Sequence, residues 1–243
     1  MLRKNCYKNV LMIGSSSDIG LALLSKLTID DDASLTLIGR ESPATNDSIA
    51  RFKTITFLNC DFNNLDEVQT LSSSFSTSIQ FDFVIFAAGV LPPENCELNP
   101  RTVKQAFTTN TISQILIASS LYLNILGKQP VKVIYLSSIV VVRPRLRNFT
   151  YGASKVSTDY FFQGLAMKYS DTNIQTRIVR MGFVRTKMTR NFQPAPFAAT
   201  KETVSKSITK QLDSRARVIY CPGHLRLIFF VLQFLPNRVF IRL

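Results

Sequence analysis

Tyr151 and Lys155 stand four residues apart in the stretch YGASK, with a Ser-Ser pair at 137–138 and Asn110 further upstream. On a helix, positions i and i+4 share a face, so the phenol and the ammonium would lie together. A free tyrosine titrates at about 10. A neighbouring cation favours the phenolate, which predicts proton exchange with an alcohol or carbonyl oxygen near neutrality. Ser138, thirteen residues before Tyr151, can hydrogen-bond the same oxygen. Each of these residues also has an ordinary structural explanation: serines often end strands, and Tyr-x-x-x-Lys is common.

These side chains need a frame. Short apolar, β-branched runs predict strands at Asn9–Ile13, Ser34–Ile38, Thr54–Leu58, Phe81–Phe86, Val131–Leu136, Gln175–Arg180 and Arg217–Tyr220. Helical periodicity falls between them at Ile19–Ile29, Leu65–Phe75, Arg101–Leu126, Tyr151–Tyr169 and Glu202–Leu212. Alternating strands and helices specify an α/β fold, a doubly wound parallel sheet with helices on both faces. Near-continuous apolar strands fit burial on both sides. The division expected is one Rossmann-type domain over 1–223 and an apolar, basic helical extension over 224–243.

The loop IGSSSDIG comes after the first strand and opens a helix. Gly14 permits a sharp turn and Gly20 a close helix–strand approach, and free amides there would suit a diphosphate. Asp18 occupies the place of a usual middle glycine; its side chain could cap the helix, but a carboxylate facing a diphosphate would repel it. Glycine and serine are also plain turn formers. Arg40, at the end of the second strand, suits the 2′-phosphate of NADP better than the ribose hydroxyls of NAD; the alternative is a solvated arginine beside Glu41.

Taken together, order and spacing resemble the short-chain dehydrogenase/reductase family over about residues 8–220. The resemblance implies a catalytic tetrad of Asn110, Ser138, Tyr151 and Lys155. Tyr151 would be the acid/base, Ser138 would polarise the carbonyl, Lys155 would hold the nicotinamide ribose and tune Tyr151, and Asn110 would hold a relay water. It implies a dinucleotide bound by Gly14, Ser16, Asp18, Ile19, Gly20, Arg40, Asp61, Ala88 and Gly89, with Val184 and Thr186 of MGFVRT at the nicotinamide end and NADP favoured over NAD. Ile13, Asp18, Phe86–Ala87 and Met181 replace residues usual in the family. All lie in the cofactor half, which puts cofactor preference in question and leaves the reaction type alone. The loop SSIVVVRPRLRN and the tail further resemble the branch that reduces decaprenylphosphoryl-2-keto-ribose.

The chain has 243 residues, 46% of them apolar, with 29 Lys+Arg against 16 Asp+Glu and a net charge of +13. Such an imbalance favours an anionic partner. Aromatic residues do not interleave with a basic run, so no nucleic acid is expected. Four dispersed cysteines argue against a disulfide framework or a metal site, and fit a reducing cytoplasm. The apolar run before Gly14 is too short for a signal peptide, and no stretch is long enough to span a bilayer.

Nine of the eleven residues from Leu225 to Leu235 are apolar, with Arg226, Arg238 and Arg242 among or beside them. In helical projection Leu225, Ile228, Phe229, Leu232 and Leu235 form one stripe and Leu227, Val231 and Phe234 another. Such a helix must be buried, either on the domain, in a homo-oligomer, or at an anionic membrane surface. Arg143, Arg145 and Arg147, between Ser138 and Tyr151, could hold a substrate phosphate or simply face water. These features leave three readings: reduction of a ketosugar on a polyprenyl phosphate, reduction of a soluble ketone or acyl-carrier-linked 3-oxoacyl group, or, less favoured, a non-catalytic scaffold or nucleic-acid-binding protein.

Overall fold

The first strand alternates its loyalties: Val10 and Met12 join one buried cluster, Leu11 and Ile13 the other. The computed structural model, which describes residues 6–43, 46–75, 80–195 and 197–240, repeats this pattern along its central sheet. The strands are β1 (Tyr7–Ile13), β2 (Ile29–Gly39), β3 (Thr54–Asn59), β4 (Phe83–Phe86), β5 (Val131–Ser138) and β6 (Ile174–Met181). Two short strands, β7 (Val184–Arg185) and β8 (Ala199–Thr200), pair with each other before β9 (Val218–Cys221). The sheet runs β3-β2-β1-β4-β5-β6-β9 and every pairing in it is parallel.

Helices α1 (Asp18–Leu24) and α6 (Lys201–Gln211) cover one face through Leu21, Leu23, Leu24, Val204 and Ile208. Helices α2 (Leu65–Ser74), α4 (Ser113–Ile125) and α5 (Phe149–Lys168) cover the other through Val68, Leu71, Ile117, Leu121, Tyr122 and Phe162. A short α3 (Pro100–Phe107) precedes α4, and α7 (Leu225–Leu232) and α8 (Asn237–Phe240) close the described chain. Phe86, one of the departures from the pattern the resemblance implies, packs edge-on against Phe162, which stacks on Tyr135. The departures at Ile13 and Phe86 thus fill the core, since both side chains are fully buried.

Two elements depart from the sequence expectation. The helix expected over Ile19–Ile29 ends at Leu24, and Ile29 already begins β2. The segment DDDAS has poor strand composition; β1 starts early, with Tyr7 opposite Ile29, and the register then jumps to Asn9 opposite Ser34, so residues 30–33 form a bulge within β2. The helix expected over Arg101–Leu126 is broken by a π-helical turn at Thr108–Ile112. An extra residue in a helix rotates every later side chain about the axis, and such turns gather at functional sites.

Candidate active site

The chain builds β1, β2 and β3 outward and then returns to lay β4 beside β1. At that reversal the loops leaving the strands part, which is where open α/β sheets hold ligands. A cleft of about 540 Å³ opens there. Gly14–Ile19 line it after β1, Arg40 after β2, Asp61–Asn63 after β3 and Ala87–Val90 after β4, with Thr186–Met188 across from them.

Gly14 makes this closeness feasible. Its φ is +100°, and a β-carbon there would lie 2.5 Å from the Ala88 nitrogen. Gly20 sits one turn into α1, where a β-carbon would meet the Met12 and Ala87 side chains; it is buried behind the cleft. Ser17, not Asp18, caps α1: its hydroxyl accepts from the Gly20 N–H at 3.2 Å. Asp18 is the first helical residue, and its carboxylate accepts from the Lys187 N–H at 2.7 Å. The two loops flanking the cleft are therefore latched together by the residue that had promised repulsion.

Ser138 ends β5, and Tyr151 and Lys155 lie on α5. Burial pushes the Tyr151 phenol up to about 12, and the opposing pull comes from Ser138. The Lys155 ammonium donates to the Leu136 carbonyl at 2.8 Å, over the Tyr135 ring. Burial lowers Lys155 to about 8, against the opposing charge of Asp159.

Asn110 is fully buried in the π-helical turn. Its Oδ1 accepts from the Val90 N–H at 2.7 Å, and its Nδ2 donates to the Val90 carbonyl and to Ser154 Oγ. The side chain thus ties the β4 loop to α5, and its main-chain carbonyl accepts from Thr158. The water-holding role implied for Asn110 finds its side chain already committed. Of the other residues expected at the cofactor, Gly14, Ser16, Asp18, Ile19, Arg40, Asp61, Ala88, Gly89 and Thr186 line the cleft. Val184 does not: its side chain is buried in the core on the α6 side.

The tail docks on the loop after Ser138. Leu225 and Phe229 bury against Ile139, flanked by Val142, Tyr220, Ile228 and Leu232. Arg143 donates to the Leu232 carbonyl at 2.5 Å and to Asn237 Oδ1 at 2.7 Å, with its guanidinium over the Phe240 ring. A cation at a helix C-terminus satisfies carbonyls that the helix leaves open. Arg145 lies over the Phe229 ring, and burial lowers its pKa. Two of the three loop arginines thus pack against the tail, Arg143 by hydrogen bonds and Arg145 over a ring. The inner stripe of the helical projection is the docked one, while Leu227, Phe230, Val231 and Phe234 are exposed.

Sequence motifs did not single out Asp159 or Arg180. Asp159 is one helical turn beyond Lys155, as Lys155 is beyond Tyr151, so the face was legible to the same rule. Arg180 gave no such signal, because strand pairing alone sets it opposite Ser137.

Residues 8–196 match the family profile described as short chain dehydrogenase. An uncharacterized oxidoreductase of Mycobacterium tuberculosis is 36% identical over 107 residues, 44% of this chain. The matched segment spans 43% of that relative, less than half its length. An uncharacterized oxidoreductase of Streptomyces coelicolor is 26% identical across 97% of this chain and 96% of its own. Among solved structures, a short-chain dehydrogenase from Sphingobium yanoikuyae in complex with NADPH superposes with a TM-score of 0.76 at 18% identity, covering 93% of this chain and 92% of that one. A 3-oxoacyl-[acyl-carrier protein] reductase from Brucella melitensis gives 0.72 at 18% identity, covering 91% and 98%. With a family profile matched from β1 to the segment before β8, and a sheet that superposes on structures of the same kind, the chain belongs to the short-chain dehydrogenase/reductase family.

Proposed function

We propose that this protein is an NADPH-dependent carbonyl reductase whose substrate is a ketosugar carried on a polyprenyl phosphate, met at the cytoplasmic face of an anionic membrane. The observation that carries the chemistry is the contact between Tyr151 on α5 and Ser138 at the end of β5. The cleft suits a dinucleotide: Gly14 keeps its floor free of a side chain, and Ser16 and the exposed Arg40 offer hydrogen-bonding and cationic groups to phosphates. When bound, the nicotinamide supplies a hydride to the carbonyl carbon. Ser138 donates a hydrogen bond to the carbonyl oxygen, and Tyr151 gives that oxygen its phenolic proton. A raised phenol pKa keeps this proton in place at neutral pH, which suits an acid in the reductive direction.

Arg40 supports NADPH over NADH. Arg40→Glu removes a charge-assisted contact to the 2′-phosphate and adds a repulsion. The NADPH-to-NADH ratio of kcat/KM is expected to fall by about 10- to 100-fold. An unchanged ratio, measured with both cofactors, removes Arg40 from cofactor choice.

The lipid reading rests on the outer face of α7. Leu227, Phe230, Val231 and Phe234 are 70%, 59%, 54% and 72% exposed and keep the i, i+3, i+4, i+7 spacing of one helix face. Arg226 and Arg238 are exposed beside it, and no acidic residue occurs from Ser214 to Leu243. A recess of about 460 Å³ bordered by Val142, Tyr220, Arg226 and Phe230 adjoins the same helix, pairing apolar walls with a cation. No helix among the described residues is long and apolar enough to cross a membrane, so the attachment proposed is peripheral. Two arms test this reading. Sedimentation with phosphatidylglycerol vesicles, but not phosphatidylcholine vesicles, is expected, and Phe230→Glu with Phe234→Glu should abolish it. NADPH oxidation with extracted polyprenyl-phosphate ketosugar should exceed that with soluble ketones. Turnover of a 3-oxoacyl group on its carrier protein, without vesicle binding, would favour the second reading, which the basic surface also supports.

A homo-oligomer is proposed through a different face. Ile112, Leu116 and Leu123 beside and on α4, and Val156, Tyr160 and Met167 on α5, repeat one spacing and are exposed. Paired apolar helix faces of this kind suit a second copy.

A further inference from the structure

One buried charged cluster takes no part in the proton and hydride steps. Asp159 is 2% exposed, on α5, one turn after Lys155. Its carboxylate accepts from Arg180 through Nε at 3.1 Å and through a terminal nitrogen at 2.7 Å. It also accepts from Ser137 Oγ at 2.5 Å and from Gln163 Nε2 at 2.6 Å. Arg180 in turn donates to the Tyr220 hydroxyl at 3.1 Å. So many donors around one carboxylate fix its position.

Three elements besides α5 supply the groups around this carboxylate and the neighbouring lysine. From β5 come Ser137, the Leu136 carbonyl and the Tyr135 ring, the last 4.5 Å from the Lys155 nitrogen. From β6 comes Arg180, and from β9, beyond it, Tyr220. On α5 itself are Tyr151, Lys155 and Gln163. Asp159 is the one acidic group among these. Burial disfavours the lysine cation, and the Asp159 charge opposes burial.

We propose that Asp159, fixed by Arg180, is a positioning residue that keeps the buried Lys155 ammonium charged. An ion pair between a buried carboxylate and a half-buried arginine is costly by itself, and replacing both by neutral groups is often tolerated. Its retention beside a catalytic lysine is explained if the carboxylate serves the lysine and the arginine serves the carboxylate. The dependence rests on the reading of Lys155 as part of the site, but its test does not require the substrate to be known.

The test tracks the lysine directly in the free protein. With lysine labelled at ¹³Cε, the Lys155 resonance, assigned by its loss in Lys155→Met, is titrated in wild type and in Asp159→Asn. Lys155 is cationic below its midpoint, so removing a nearby negative charge lowers that midpoint. A fall of about one pH unit or more is expected. Because Asp159→Asn leaves Arg180 unpaired in the interior, the double variant Asp159→Asn, Arg180→Gln is titrated too. It removes both charges, and because Asp159 is the charge acting on Lys155, the lowered midpoint should persist. A midpoint that stays at the wild-type value in a folded variant, with only the thermal midpoint reduced, overturns the proposal and leaves Asp159 as a structural partner of Arg180. Failure of the substrate reading would leave this titration unaffected.

Discussion

Tyr151→Phe is expected to lower turnover by about 10²- to 10⁴-fold while leaving NADPH binding within a few-fold of wild type, the range by which a positioned general acid accelerates a reaction. The substitution removes one oxygen and keeps the ring. That ring is part-buried on α5, beside the fully packed Gly152 and Ser154 side, so the fold should tolerate it. The split between the two readouts matters. Fluorescence titration with NADPH reports the cleft, and NADPH oxidation with an accepted ketone reports the proton. Loss of both would mean that the variant disturbs the site as a whole. Retention of full turnover would mean that another group gives the carbonyl oxygen its proton. Ser138→Ala tests the partner: the Ser138 contact holds the phenol below the value that burial alone would set.

Gly14→Val should destabilise the folded chain by about 3 kcal/mol and abolish dinucleotide binding with it. Two costs combine. A branched residue at φ +100° is strained by about 1–3 kcal/mol, and its β-carbon would meet Ala88 and Ala87 backbone atoms within 2.8 Å. Backbone at that distance cannot swing aside as a side-chain tip could. Gly127 supplies the control. It also has positive φ, at +74°, but a β-carbon there meets nothing within 4 Å. Gly127→Ala should therefore cost about 1 kcal/mol, the backbone strain alone. Urea unfolding of the three proteins separates the two contributions. Equal losses at the two glycines would show that the close approach of the β1 and β4 loops contributes nothing.

The order of strands and helices was legible because the central strands β1, β4 and β5 are buried on both faces and read as apolar runs between longer mixed segments. The reading failed where local composition and tertiary pairing disagreed. Asp30, Asp31 and Asp32 read as the end of a helix or a loop, yet lie within β2 as a bulge between the Tyr7–Ile29 and Asn9–Ser34 pairings. The π-helical turn at Asn110 was invisible for another reason: one inserted residue changes no period that a short window can measure. At the site, residue types were legible and their partners were not. Tyr151 and Lys155 share a helix, but the lysine's hydrogen bond goes to a carbonyl on β5. Asp18 read as an odd carboxylate in a phosphate loop; its acceptor role depends on Lys187, 169 positions away. The loop arginines read as ligands for phosphate because nothing in their own stretch shows that α7 and α8 return to meet them.

Arg143 joins stretches 89 positions apart, fastening the end of α7 to the loop that leaves Ser138. The two stretches therefore form one heritable unit. A drift to leucine at 143 strands open carbonyls at the end of α7, and a loss of the last helices leaves Arg143, Arg145 and the apolar Ile139 uncovered next to Ser138. Neither change is neutral alone: the loop after Ser138 and the terminus hold each other in place.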